Sequence, residues 1–192
     1  MTHADHVPRV SAEDRAELAS LIAEAALLRG TFTLRSGRVS SYYLDKYLFT
    51  TQPGILTRLG DMLAERIATM DAAVGRADRL AGAELGGIPL VTAASMATGR
   101  PCLFVRNQKK DYGTAKQLEG GFKPGERAVL LEDVATTAGQ AIEAVGSLRD
   151  VGLEVGGIIA VIDREEGARE NVEGAGLRFD ALFTKTDLGV NE

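Results

Sequence analysis

The sequence predicts a doubly wound α/β domain with a mainly parallel sheet and a small N-terminal helix-plus-hairpin hood. Two observations carry this expectation. Short apolar runs at residues 79–82, 101–105, 129–131 and 155–162 alternate with stretches of helical periodicity, as in parallel sheets buried on both faces. Three of these runs also end in charged residues, Arg106, Glu132-Asp133 and Asp163-Arg164. Open parallel sheets bind ligands beyond the carboxyl ends of their strands, so these three ends converge on one crevice. A length of 192 residues with 45% hydrophobic content suits one domain with its own core. Residues 1–50 are assigned to the hood and 51–192 to the core.

The elements follow in order. Ser11 and Asp14 form a capping-box pattern ahead of an apolar helical face of Leu18, Leu21, Ile22, Ala25 and Leu28, with Gly30 as the stop. Residues 31–34 and 41–44 are β-prone and flank Arg35-Ser36-Gly37-Arg38, which reads as a hairpin tip. With Tyr42-Tyr43 behind it, this is either an ordinary basic hairpin or a lid over a flat anionic ring. Residues 54–70 form an amphipathic helix through Ile55, Leu59, Met62, Leu63, Ile67 and Met70, and 71–78 a loop. The strand at 79–82 enters Glu84-Leu85-Gly86-Gly87, where paired glycines before a helix at 88–98 let backbone N–H groups approach an anion. Between Arg106 and Gly125 the chain is polar and turn-rich, and Arg106, Lys109, Lys110 and Lys116 suit a lid that closes on polyphosphate. An edge strand is expected at 177–183.

The central stretch is Val129 to Gln140. A strand ending at Leu131 gives way to Glu132, Asp133, Val134, Ala135, Thr136, Thr137, Ala138, Gly139 and Gln140. Ala141, Ile142, Ala144, Val145 and Leu148 then mark a helix running from Ala138 to about Asp150. The free N–H groups and dipole of such a helix make an anion site. The acidic pair must serve another purpose, accepting hydrogen bonds from sugar hydroxyls or holding a hydrated divalent cation. A phosphate cradle beside two such carboxylates suits a ribose 5-phosphate. Read alone, the segment is also a capped helix behind an acidic turn, with Thr136 or Thr137 as N-cap.

The bulk properties exclude several classes. A net charge of -5 argues against nucleic-acid binding, which needs clustered Lys and Arg. The single Cys102 sits in an apolar run and reads as a buried strand residue in a reducing compartment. No uninterrupted apolar run is long enough to span a bilayer, and residues 1–10 lack the apolar core of a signal peptide. A cytoplasmic protein without a membrane partner is expected.

Residues 129–140 resemble the phosphoribosyl-pyrophosphate (PRPP) signature of type I phosphoribosyltransferases. Residues 32–45 sharpen the resemblance, because Phe32-x-Leu34-Arg35-Ser36-Gly37 followed by Ser40, Tyr43 and Asp45 is similar to the N-terminal segment of orotate phosphoribosyltransferases. The loop Arg106-Asn107-Gln108-Lys109-Lys110-Asp111-Tyr112-Gly113 resembles that family's mobile loop, with Arg106 and Lys110 matching. Asn107 stands where that pattern has lysine, Tyr112 where it has histidine, and Ala138 where the PRPP signature has glycine. Leu85-Gly86 replaces a Tyr-Lys pair of the pyrophosphate loop.

The resemblance covers residues 27–167 and implies the type I phosphoribosyltransferase fold. It also implies transfer of ribose 5-phosphate from PRPP to orotate, giving orotidine 5′-monophosphate and pyrophosphate with Mg²⁺. Arg35, Arg106, Lys109, Lys110, Tyr112 and residues 132–140 would bind PRPP, and Glu84, Leu85 and Gly86 would form the pyrophosphate loop. Tyr42, Tyr43, Thr136 and Arg164 would bind orotate, with Lys110, Arg106 and Asp133 catalytic. Mg²⁺ would be held mainly through PRPP and water. A homodimer is implied, in which loop 107–121 completes the neighbouring site. Transfer to another base and a non-catalytic PRPP or nucleotide sensor are the alternatives.

Overall fold

The computed structural model describes residues 10–33, 37, 39–107 and 117–191. Helix α1 (Ala12–Ala26) opens on the expected capping box, with the Ser11 hydroxyl accepting from Asp14 N–H and the Asp14 carboxylate accepting in return. It ends earlier than its helical pattern predicts, because Leu27 to Arg29 pair with Tyr42 to Leu44. Strands β1 (Leu27–Thr33) and β2 (Val39–Leu44) form a separate antiparallel two-stranded sheet. Cross-strand bonds thus take the backbone groups that another helical turn would use, and Leu28 is left exposed. The short helix α2 (Lys46–Thr50), capped by the Asp45 carboxylate, leads into α3 (Pro53–Val74). The latter runs one turn beyond the expected end.

The main sheet holds β3 (Arg79–Ala83), β4 (Cys102–Val105), β5 (Leu118–Glu119), β6 (Arg127–Ala135), β7 (Glu154–Asp163) and β8 (Arg178–Thr184). Its order is β5-β4-β3-β6-β7-β8, parallel throughout except for the antiparallel edge β5. Helices α4 (Gly87–Thr98), α5 (Gly139–Asp150) and α6 (Ala168–Gly174) complete the chain, with a 3₁₀ turn at Thr186–Leu188. Four elements were not foreseen, α2, β5, α6 and the 3₁₀ turn. All are short.

Side-chain alternation along β6 builds two cores. Val129 and Leu131 pack with α1, α3 and α4, while Ala128 and Leu130 pack with α5 and α6. The doubly wound expectation is met. The chain leaves β3 toward β4 on one side and returns at β6 on the other, so the switch point lies between β3 and β6. Helix α4 sits close on this point through two glycines. A Cβ on Gly82 would overlap the Gly87 carbonyl and Val91, and one on Gly87 would crowd the Leu131 carbonyl.

Candidate active site

Strand β6 continues four residues past the expected stop at Leu131, so Glu132 and Asp133 lie on the strand and not in a turn. Pairing with β7 extends to Ala135↔Asp163 and holds them there. The Glu132 side chain folds back on the strand, its Oε1 accepting from Asp133 N–H at 3.2 Å, so the two acidic groups stay adjacent. Asp133 is 1% exposed, and its carboxylate fills the space where a Cβ on Gly86 would sit. Its Oδ1 accepts from Val134 N–H at 2.6 Å and from Lys46 Nζ at 3.1 Å. The ammonium approaches Oδ2 to 2.8 Å in ion-pair contact, yet its angle leaves that oxygen without a hydrogen bond among the described residues. Glu132 is half-buried. Burial and then the adjacent Asp133 charge push its pKa up to about 8. At Lys46 burial works against the ammonium, but the Asp133 carboxylate, together with Glu132 and Tyr47, outweighs it and raises the pKa.

Beyond β6, Thr136 and Thr137 turn the chain and Ala138 enters the left-handed region at φ 58°, ψ 19° as N-cap of α5. Neither threonine caps the helix, and its first-turn N–H groups have no side-chain cap. An uncapped helix start at a strand's carboxyl end is an anion cradle. The second glycine-led start, Gly86 ahead of α4, also lacks a side-chain cap. The Glu84–Leu85 peptide before it is cis.

Asn107 has a definite job. Its N–H donates to Glu84 Oε1 at 2.7 Å and its Nδ2 to the Glu84 carbonyl at 3.3 Å. The Glu84-Leu85-Gly86 loop is thereby clipped to the end of β4, and the Glu84 carboxylate is engaged by backbone. Arg106 sits beside this clip, its N–H donating to the Gln117 carbonyl at 2.8 Å. Its Nε is buried without a hydrogen-bond partner among the described residues. Arg106, Gln140 and Glu143 line a cavity of ≈ 240 Å³ between β4 and α5.

Arg164 leaves the end of β7 and donates to the Tyr42 hydroxyl at 2.9 Å, with its guanidinium 5.2 Å from the ring centre. Glu166 pairs with it at 2.9 Å. Tyr42 is buried, whereas Tyr43, next on β2, is exposed and meets Phe32 with ring centres 5.7 Å apart. Of the tyrosine pair, Tyr42 is therefore the one joined to Arg164. Arg35, Lys109, Lys110 and Tyr112 lie outside the described residues. Lys46 was missed at the sequence level. Its only local signal is a lysine directly after the helix cap Asp45, and nothing local points to Asp133.

Among the described residues no three of His, Cys, Asp and Glu gather as a metal cage. Glu132 and Asp133 supply carboxylate oxygens, the donor type that suits a hydrated Mg²⁺. No described helix is long and apolar enough to cross a membrane.

A parallel sheet with an acidic strand end, an uncapped helix start and a glycine loop at its switch point defines the type I phosphoribosyltransferase class. No family model matches the chain. It is 45% identical over 173 residues to the orotate phosphoribosyltransferase of Natronomonas pharaonis, covering 90% of this chain and 95% of that one. Against the Pyrococcus abyssi enzyme of the same name it is 42% identical over 173 residues, covering 90% and 93%. The crystal structure of Mycobacterium tuberculosis orotate phosphoribosyltransferase with Fe(III) dicitrate superposes with a TM-score of 0.81 at 36% identity, covering 92% of this chain and 99% of that one. The chain belongs to the orotate phosphoribosyltransferase family.

Proposed function

We propose that the chain transfers the ribose 5-phosphate of PRPP to orotate, with its residues in the following roles. The uncapped N–H groups of α5 and the turn 136–140 hold the 5′-phosphate. Glu132 and Asp133 manage the ribose hydroxyls. Arg164, set by Tyr42 and Glu166, forks onto the orotate carboxylate. Breaking the bond from C1 to pyrophosphate leaves positive charge on the ribose and negative charge on the leaving group. Arg106 and Lys110 stabilise the departing charge, more strongly once water is expelled. The orotate ring nitrogen attacks, so no protein nucleophile is required. Bound through PRPP oxygens and water, Mg²⁺ would neutralise polyphosphate charge.

The observation that carries this reading is Arg164 locked on Tyr42 beside the acidic end of β6, in a chain of this family. One of the related crystal structures, from M. tuberculosis at 36% identity and TM-score 0.77, is a complex with PRPP. A homodimer in which loop 107–121 reaches the neighbouring site is part of the proposal, and a cytoplasmic place suits a chain with one cysteine.

The test is loss of orotate ultraviolet absorbance with PRPP and Mg²⁺, against Lys110→Ala and omission of PRPP. We expect PRPP-dependent turnover that falls at least about a hundredfold in Lys110→Ala, the scale of losing a transition-state charge partner. PRPP binding by calorimetry with no turnover would sink the reading in favour of a sensor.

A further inference from the structure

Two adjacent carboxylates at one sugar site raise a question of charge, because a buried carboxylate without a partner is strongly disfavoured. Among the described residues the cation paired with the buried Asp133 is Lys46, at 2.8 Å. It does not come from the sheet. Lys46 opens α2, between the hairpin sheet and the core.

Its backbone is fixed on both sides. The preceding Asp45 donates its N–H to the Ala26 carbonyl at 2.9 Å and caps α2 through Tyr47 N–H at 3.1 Å. The Thr50 hydroxyl donates to the Lys46 carbonyl at 3.0 Å, and Phe49 and Thr50 are buried. The first turn of a helix is a poor place for a cation on dipole grounds. The ion pair, rather than helical preference, accounts for a lysine there.

The pair has a geometric consequence. Asp133 is drawn toward α2 and against Gly86, with Glu132 adjacent to it on the strand. Asp133 is thus committed to the junction of hood, pyrophosphate loop and sheet, and Glu132 beside it is half-buried.

We infer that Lys46 is a positioning residue of the transfer reaction: its ion pair fixes the Asp133 carboxylate, and so the acidic pair at the sugar site, between α2 and Gly86. This rests on the function proposed above and gives the acidic pair a cationic partner from outside the sheet. It also ties the placement of α2 to the sugar site through one side chain.

The experiment is a double-mutant cycle read by PRPP calorimetry and steady-state kinetics. Lys46→Met and Lys46→Arg are made in the wild-type chain, and Lys46→Met also beside Asp133→Asn. Lys46→Met should weaken PRPP binding roughly tenfold, the loss of one charge-assisted hydrogen bond, with the KM for orotate unchanged within about twofold. Lys46→Arg should recover most of the loss. With Asp133→Asn already present, Lys46→Met should cost less than about twofold more, because its partner is gone.

A full penalty in the Asp133→Asn background would overturn the inference, since Lys46 would then act on the PRPP charge directly. Unchanged PRPP affinity in Lys46→Met would overturn it too, as would a lowered melting temperature with normal KM and kcat. If Lys46→Met does not fold, Lys46→Gln takes its place in the same cycle. An inactive wild type that binds PRPP would refute the transfer reading and leave the binding cycle interpretable, so the two failures are distinguishable.

Discussion

At the scale of single residues, the site is governed by where charge is placed relative to water. Glu132 holds its proton far above the ordinary carboxylate range, to about 8, because burial and Asp133 both oppose its ionisation. The sign of the stability effect follows. Between the ordinary value of 4.5 and about 8 the folded chain binds a proton that the unfolded chain has released, so folding weakens as pH rises through that window. The unliganded protein should therefore melt lower at about pH 9 than at about pH 5 by more than Glu132→Gln does. The gap between the two proteins should widen by at least about 2–4 °C, the equivalent of one kcal/mol in a domain of this size. Parallel melting curves across that range, measured by calorimetry, would show that Glu132 is ionised normally.

At the scale of elements, the β6–α5 junction shows how a departure from the family's pattern is absorbed. Ala138 occupies the left-handed region at φ 58°, a conformation that favours glycine. It is buried against the α5 core, so its methyl group packs while its backbone is strained. Ala138→Gly should relieve the backbone and leave the α5 N–H cradle in place. The net gain should be at most about 1 kcal/mol, since glycine also frees the unfolded chain. A urea titration reads this directly. A midpoint that falls on substitution would show that the lost methyl packing outweighs the strain. The neighbouring correction is of the same kind. The acidic pair reads as a turn because two charges interrupt an apolar run, but pairing with β7 as far as Ala135 carries the strand through them.

At the scale of the whole molecule, the proposed dimer makes a prediction that a single chain cannot satisfy. Lys110 belongs to the loop and Arg164 to the sheet, so Lys110→Ala and Arg164→Ala subunits should complement each other. If the loop serves the neighbouring site, a random mixture should regain about a quarter of wild-type activity, because half the dimers carry one intact site. A loop serving its own site would give no recovery on mixing. The assay is the orotate absorbance of the mixed, re-equilibrated subunits.

The sequence by itself determined the class of fold, the order of buried strands and the residues at three strand ends. Those signals are local: apolar runs, helical periodicity, a capping box at Ser11 and Asp14, and a motif of contiguous residues at 129–140. Its resemblance to orotate phosphoribosyltransferases rested on similarly contiguous stretches. Only the tertiary structure decided that α1 yields to a strand at Leu27, that Tyr42 and not Tyr43 meets Arg164, and that Asn107 clips Glu84. It alone brought Lys46 to Asp133 across 87 residues of chain. The physical reason is common to these cases. Each depends on a partner distant in sequence, and hydrogen bonds and ion pairs between distant segments leave no periodicity for a local reading to detect.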